Sequence, residues 1–291
     1  MTDRIERPVR IERTLVDCHL HVPRLDTLKP AWLDWADQLN PRWRSVYDEA
    51  GVPVPARLSA HLDAEGVDRA LLFCEYSPRA TGIQPIEDLL PLVEHDPVRY
   101  RLVANVNPHL HHPVEAELER QLALGAVALK IHPVHAGFSP DEPEMYAAYR
   151  LCAERGVPVI IHSGTSSFPG SRNRFGDPQL MLDVLEDFPD VDFVFAHGGR
   201  GWWYDTAAFL ALNKPNVWLD LAGLPPRRLP EYYARFDLRR LAGRWLFGTD
   251  WPGVPSTARN AAALAELGLS EEALTAVLSA NAAKVFPGLD I

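Results

Sequence analysis

Imidazole and carboxylate side chains recur at the ends of short apolar segments along the sequence. In the first of these segments His19 and His21 alternate, and because side chains alternate across a strand with a period of two, both histidines face the same side. The later segments end in residues of the same kinds, namely Glu75, Lys130, His132, His162, His197 and Asp250. A fold that brings these ends together would make the donors converge on one site.

A transition-metal site is the chemistry that this set favours. Buried polar groups without partners are costly, and one metal ion satisfies several of them together. Imidazole and carboxylate ligands suit zinc, iron, manganese or nickel rather than calcium or magnesium. The candidate ligands are His19, His21, Glu75, His132, His162, His197 and Asp250. Since one ion needs about four or five donors, water included, this set suffices for one or two divalent ions.

Two residues of the set have alternative roles. Glu75 is either a bridge between two ions or a residue that fixes the tautomer of a ligating imidazole. Lys130 shares a strand face with His132 and is a carbamylated bridging ligand, a catalytic ammonium or the ion-pair partner of Glu75.

Residues that follow the same segments are suited to an anionic substrate. Arg200 comes three residues after His197 and can bind a carboxylate through two hydrogen bonds. Trp202 is suited either to line the apolar part of a substrate site or to pack in the core at the start of a helix. Arg79 and Arg174 are further candidates for anion binding. These residues predict a small-molecule substrate that is a bulky, largely apolar carboxylate or acyl compound.

Eight apolar segments alternate with amphipathic ones and must position these residues. The expected strands cover residues 14–21, 70–75, 100–106, 126–132, 158–162, 192–197, 217–221 and 245–250. This alternation predicts an α/β fold with a parallel sheet, and eight units favour a closed (β/α)8 TIM-like barrel, whose active groups lie at the carboxyl ends of the strands. An open doubly wound sheet is the alternative, but its glycine-rich phosphate turn is missing after the first strand.

The chain, 1–291, reads as a single domain with two additions to the barrel. Residues 26–55 are too long for a simple first loop, and Trp32, Trp35 and Trp43 within them indicate a lid or an oligomer contact. Residues 257–267 and 271–280 are expected to form two extra helices at the C-terminal end.

Composition excludes several classes of partner. With 29 Lys+Arg against 39 Asp+Glu the net charge is -10, which disfavours nucleic acid and anionic membranes. No apolar stretch reaches the roughly 18 residues of a membrane helix, and the charged N-terminus is not a secretory signal. Three cysteines without a CxxC motif indicate a reducing cytosol, so a cytoplasmic location is expected. Self-association into a homo-oligomer stays open.

Several motifs together resemble the amidohydrolase superfamily, and more closely its amidohydrolase-2 branch, which includes decarboxylases of aromatic carboxylates. They are Val16-Asp17-Cys18-His19-Leu20-His21, Lys130-Ile131-His132-Pro133, Ile161-His162-Ser163-Gly164, Ala196-His197-Gly198-Gly199, Phe247-Gly248-Thr249-Asp250-Trp251-Pro252 and the closing Asn281-Ala282-Ala283-Lys284-Val285-Phe286. The resemblance covers roughly residues 15–286 apart from 26–55.

The resemblance implies a TIM-like barrel and assigns roles to several residues. It implies that His19, His21, His162 and Asp250 are metal ligands. In mononuclear relatives the histidine that matches His197 is a general acid/base, and in dinuclear relatives it binds a second metal. Glu75 and His132 are extra donors that a mononuclear site does not require, which favours a dinuclear site.

Three functions are compatible with these observations. The first is metal-dependent hydrolysis or decarboxylation with zinc, iron or manganese, in which Asp250 or His197 moves the proton. The second is hydroxylation by a non-heme diiron monooxygenase on the same barrel, which uses O₂ and an external reductant and would explain the excess of donors. The third is a metal-binding barrel without catalysis.

Overall fold

The computed structural model describes residues 13–289, and its centre is an eight-stranded parallel sheet. Along this sheet the strands lie in the order β1-β2-β5-β6-β7-β8-β9-β10, so the main strands follow one another as they do along the chain. The short strands β3 and β4 form a separate antiparallel pair that follows β2. The strands are β1 (Val16–Leu20), β2 (Arg69–Phe73), β3 (Glu75–Ser77), β4 (Gly82–Gln84), β5 (Tyr100–Asn105), β6 (Ala126–Ile131), β7 (Val159–Gly164), β8 (Phe193–Arg200), β9 (Val217–Asp220) and β10 (Trp245–Leu246).

The first and last strands of the sheet meet and close it into a barrel. The Cys18 amide donates a hydrogen bond to the Phe247 carbonyl at 3.0 Å, and the His21 amide donates to the Trp251 carbonyl at 2.9 Å. Leu20 and Trp251 also form a parallel bridge. The predicted TIM-like barrel is therefore confirmed, and all eight expected strands take part in it.

Each strand of the barrel is buried on both faces, which explains its near-continuous apolar sequence. Inward side chains from the strands, such as Val103, Ile160 and Val194, form one cluster inside the barrel. Phe286 and Leu289, from the C-terminal segment, pack against that cluster. The opposite side chains of the strands pack under the helices in a second, larger cluster. These two layers hold the strand ends in fixed positions.

Helices connect the strands on the outside of the barrel. They are α1 (Pro30–Leu39), α2 (Pro55–Glu65), α3 (Leu90–His95), α4 (Val114–Ala123), α5 (Pro133–Ala136), α6 (Pro143–Arg155), α7 (Leu182–Asp187), α8 (Tyr204–Asn213), α9 (Leu229–Tyr232), α10 (Leu238–Ala242), α11 (Thr257–Ala265), α12 (Glu271–Thr275) and α13 (Asn281–Val285). Several begin with proline, whose fixed φ suits the first helical position and whose missing N–H is not needed there. Among the described residues, no helix is both long and apolar enough to cross a membrane.

The segment between β1 and α2 forms helix α1 and short 3₁₀ turns rather than a plain loop. Trp32 and Trp43 in this segment pack edge to face with ring centres 5.6 Å apart, and the Trp43 ring lies 6.5 Å from that of Trp251. Because Trp251 directly follows Asp250, these contacts fix the segment beside the carboxyl end of β10.

Candidate metal centre

His19, His21 and Asp250 form a compact cluster, here called the first donor group. His19 Nε2 lies 3.2 Å from His21 Nε2, and Asp250 Oδ1 lies 3.5 Å from the former and 3.4 Å from the latter. Ligand atoms bound at about 2.0–2.1 Å to one tetrahedral ion stand about 3.3–3.4 Å apart. The three donor atoms therefore have the separations that a single ion requires.

Asp220, the last residue of β9, orients His19 within this group. Its Oδ2 lies 2.6 Å from His19 Nδ1, and its Oδ1 accepts a hydrogen bond from the Ala222 amide at 2.8 Å. When Nδ1 donates to this carboxylate, Nε2 keeps its lone pair for an ion. Burial, reinforced by the charge of Lys130, lowers the pKa of His19 to about 4, so the ring is neutral at pH 7.

His132, His135 and His162 form the second donor group, and one nitrogen of each lies within 4.8 Å of the others. Their ring centres are 4.9 Å apart for His132 and His135, 4.7 Å for His135 and His162 and 5.6 Å for His132 and His162. All three rings are buried. Burial lowers the pKa of each, that of His135 to about 3, so all three imidazoles are neutral.

Glu75 lies against the second donor group. Its Oε2 is 3.1 Å from His132 Nε2, at an angle that does not make a hydrogen bond, and its Oε1 accepts a hydrogen bond from the Thr81 hydroxyl at 3.0 Å. Burial raises the pKa of Glu75, and its neighbours His21 and Lys130 oppose that rise. A cation beside Oε2 would stabilise the ionised carboxylate.

Lys130 is fully buried, and its ammonium has no hydrogen-bond partner among the described residues. Its Nζ lies 5.1 Å from the ring centre of Phe73. Burial lowers the pKa of Lys130 to about 8 although the carboxylates Asp220, Asp250 and Glu75 oppose the change. The ion pair with Glu75, one of the three roles considered for Lys130, is not formed.

His197 lies between the two donor groups, with its ring centre 5.1 Å from that of His19 and 4.6 Å from that of His162. Its Nδ1 donates to the Ala222 carbonyl at 2.8 Å, which leaves Nε2 free to accept. His197 and Asp250 both have positive φ, 66° and 64°. Such backbone strain in residues other than glycine persists only where the surroundings enforce it, and it clusters at functional sites.

The mouth of the barrel holds a cavity of about 230 Å³. Donor residues form its floor, and Trp32 and Trp35 from the segment after β1 form a wall with Phe168. The Trp35 and Phe168 rings meet edge to face at 5.6 Å. The lining residues include His21, Glu75, His132, His135, His162, His197, Asp250, Thr81, Thr165, Ser166, Ser167 and Arg200.

Arg200 supplies a guanidinium to this cavity. Its Nε and Nη2 donate to the Thr165 carbonyl at 3.3 and 3.2 Å, which anchors the side chain at the end of β7. Its Nη1 lies 3.9 Å from Asp250 Oδ2. The N–H groups that Thr165 does not use lie beside Asp250 of the first donor group, where they can also meet an anionic substrate.

Three expected substrate-binding residues lie outside the cavity. Trp202 is 69% exposed and contacts Trp203, because β8 ends at Arg200 and the chain then turns away from the mouth into α8. Arg174 is exposed and stacks on Phe175 with 4.5 Å between its guanidinium carbon and the ring centre. Arg79 is also exposed and packs near Gly137.

Sequence reasoning missed three residues that the structure brings to the site. Asp220 ends β9 and is the last residue but one of the seventh expected strand, 217–221, so its position near a strand end was the available signal. His135 lies on α5, and His132 directly precedes this helix. The two are three residues apart, which is the spacing of neighbours on one helix face. Trp35 belongs to the aromatic segment 26–55, but the sequence does not tell which of its tryptophans meets the cavity.

Several solved structures share the fold of this chain. An uncharacterised TIM-barrel protein of Bordetella bronchiseptica is 21% identical with a TM-score of 0.77, and the match covers 94% of this chain and 98% of that one. A 5-carboxyvanillate decarboxylase of Sphingomonas paucimobilis is 17% identical with a TM-score of 0.65, over 94% and 98% of the two chains. A dihydroxybenzoic acid decarboxylase of Polaromonas sp., solved with manganese and the inhibitor 2-nitroresorcinol, is 16% identical with a TM-score of 0.67, over 94% and 96%.

None of the curated proteins compared with this chain matches it. The family model for amidohydrolases of the second type matches residues 16–288, which is nearly all of the barrel. The resemblance expected from the strand-end motifs is thereby confirmed, and the chain belongs to the amidohydrolase family, in its amidohydrolase-2 branch.

Proposed function

We propose that this protein is a metal-dependent decarboxylase of a compact, one-ring carboxylate, with hydrolysis of a related acyl compound as the other reaction open to the same site. The observation that carries the proposal is the first donor group, whose three ligand atoms stand 3.2–3.5 Å apart beside the Arg200 guanidinium. Amidohydrolase-2 membership and the similar folds of two decarboxylases support it.

The residues present fit divalent transition metals. The first donor group combines two imidazoles with a carboxylate, and Asp220 behind His19 is the kind of partner that ligating histidines have. In the second donor group both nitrogens of His132 and of His162 are buried without hydrogen-bond partners. A bound ion of zinc, manganese or iron would supply Lewis acidity that polarises a substrate oxygen. We propose a dinuclear site, which Glu75 would help to hold.

The cavity selects the size of the substrate. Its volume of about 230 Å³ exceeds the roughly 150 Å³ of a protein cavity that holds one benzene ring. Trp35 and Phe168 can cover the faces of such a ring, and the N–H groups of Arg200 that Thr165 does not use can hold a carboxylate. On these dimensions we propose a compact aromatic acid as the substrate, within the class of largely apolar carboxylates expected from the sequence.

Asp250 is the residue best suited to move a proton. Burial opposes its ionisation, but the hydrogen bond with His21 and the nearby guanidinium of Arg200 hold the pKa of Asp250 well below its usual range. The carboxylate is therefore ionised at neutral pH, and it can accept the proton of a ring hydroxyl on the bound substrate, which becomes a phenolate. It can return that proton to the ring carbon from which CO₂ leaves, while His197 offers a second accepting atom at Nε2.

A second candidate function is that of a non-heme diiron monooxygenase. It is favoured by one observation, namely that the donors divide into two groups with the carboxylate of Glu75 against one of them. This activity would require iron, O₂ and an external reductant.

Anaerobic turnover separates the two candidates. Metal-free protein is loaded with zinc or manganese and mixed without O₂ with a panel of hydroxylated benzoates, and release of CO₂ is measured. The proposal expects CO₂ release that disappears in the His19→Ala, His21→Ala double variant and persists in His95→Ala, whose histidine is exposed on α3. Activity only with iron, O₂ and reductant, with a product heavier by one oxygen atom, would refute it. Inactivity under both conditions would leave a metal-binding barrel without catalysis.

A further inference from the structure

We infer that His135, which lies outside the strand ends, completes a second metal site with His132, His162 and Glu75. This inference rests on the proposed function and deepens it, because it makes His135 a ligand of the second ion. Three neutral imidazoles and one carboxylate are a donor set for zinc, manganese, iron or cobalt.

The hydrogen-bonding state of the second donor group is the main argument. Its three rings carry six nitrogens, and Nε2 of His135 is the one with a hydrogen bond, to the Ser166 hydroxyl at 3.0 Å. The remaining nitrogens, both of His132, both of His162 and Nδ1 of His135, are buried and without hydrogen-bond partners in the described structure. Folded proteins rarely leave so many buried polar atoms unsatisfied at one place. A cation at the centre of the group would satisfy one lone pair on each ring.

The position of His135 is suited to a ligand. Its ring is stacked parallel to His132, with an interplanar angle of 12°, and both follow the end of β6. The backbone amide of Ser166 donates to Asn173 Oδ1 at 2.8 Å, which fixes the serine. The tautomer of His135 that carries its proton on Nε2 donates to Ser166 and keeps the Nδ1 lone pair for an ion, which is the tautomer that this site requires.

Glu75 supplies the negative charge of this second site. Its Oε1 is engaged by Thr81, and Oε2 faces His132 Nε2 at 3.1 Å without a hydrogen bond. An ion shared by these two atoms would convert that contact into two ligand bonds. The rings of His21 and His132, one from each donor group, have centres 6.4 Å apart. The two donor groups are therefore direct neighbours at the mouth of the barrel.

Cobalt titration tests the site without any need for turnover. Metal-free full-length protein is titrated with Co²⁺, and uptake is followed by the visible absorption of the bound ion and by equilibrium dialysis. Wild-type protein should bind one equivalent per donor group. In His135→Ala the affinity for the second equivalent should fall by about a hundredfold or more, because even residues behind the ligands change metal affinity about 10–100-fold.

Two further variants isolate the role of His135. His95→Ala removes an exposed histidine and should bind cobalt as the wild type does. Ser166→Ala removes the hydroxyl that holds the ring but no ligand, so it should keep the second equivalent with a smaller loss of affinity. If His135 served only to hold Ser166, the two substitutions would have equal effects, and that result would overturn the inference.

Other outcomes are equally decisive. Uptake of a single equivalent by the wild type, or unchanged affinity for the second equivalent in His135→Ala, would overturn the inference. His135→Asn serves if the alanine variant fails to fold by circular dichroism, and the same loss is expected of it. Failure of the proposed function looks different, because a protein that binds both equivalents but releases no CO₂ would leave this site standing.

Discussion

Replacing Asp220 with asparagine should change which nitrogen of His19, a proposed metal ligand, carries the proton without changing the position of the ring. The Asp220 carboxylate contacts His19 Nδ1 at 2.6 Å with Oδ2 and accepts from the Ala222 amide with Oδ1. An asparagine that keeps the bond from Ala222 must turn its NH₂ group towards His19. The imidazole then has to accept at Nδ1 and carry its proton on Nε2, the atom that faces His21.

The size of the effect follows from this change of tautomer. Binding an ion through His19 Nε2 would require the proton to return to Nδ1, where it would face the N–H of the new amide. One buried hydrogen bond is then lost and a donor is left unsatisfied, which costs about 1–3 kcal/mol. That free energy corresponds to a weakening of metal affinity of about 5–150-fold.

Competition with a chelator of known affinity measures the expected change in the dissociation constant of the first donor group. Asp192→Asn is a matched control, since Asp192 accepts a hydrogen bond from Trp218 Nε1 at 2.8 Å and directly precedes β8, at the opposite end of the barrel. We expect Asp220→Asn to weaken metal binding and Asp192→Asn to leave it unchanged. Wild-type affinity in Asp220→Asn, or an equal loss in both variants, would refute the reasoning.

Three further outcomes are expected. Arg200→Ala should raise the KM for a carboxylate substrate by about 10–100-fold, because a hydrogen bond to a charged group contributes about 1.5–3 kcal/mol. The metal content should stay unchanged, and an unchanged KM would show that Arg200 does not bind the substrate. Trp35→Ala should raise KM while Trp202→Ala should not, and the reverse result in steady-state kinetics would contradict the cavity described here. Burial raises the pKa of Asp17 from 3.8 to about 7, so the folded protein binds more protons than the unfolded chain in this window and its free energy of unfolding falls as pH rises. In denaturant titrations of metal-free protein, Asp17→Asn should make the free energy of unfolding depend less steeply on pH. An equal pH dependence in the wild type and the variant would show that Asp17 does not cause the fall.

The strands could be predicted because their sequence and their environment agree. The expected segment 126–132 matches β6 (Ala126–Ile131) almost residue for residue, since a strand buried on both faces is apolar throughout and is bounded by turn residues. Alternation also predicted that His19 and His21 share a face, and their Nε2 atoms lie 3.2 Å apart. Local periodicity is sufficient where the barrel itself fixes the direction of a side chain.

Residues outside the strands could not be placed in this way. His135 reaches the site through the four-residue helix α5, to which the period of two does not apply. The choice between Trp35 and Trp202 depends on tertiary packing: a Cβ on Gly253 would stand 2.4 Å from the Trp35 ring, so a residue far along the chain makes room for this tryptophan. No local pattern in residues 26–55 contains that information.

Elemental analysis of protein purified without added metal tests the central claim, a transition-metal centre at the barrel mouth, most directly. We expect zinc or manganese at more than one equivalent per chain in the wild type and in His95→Ala. The His19→Ala, His21→Ala double variant should lose the ion of the first donor group. Absence of transition metal from the wild type, or full metal content in the double variant, would contradict the account.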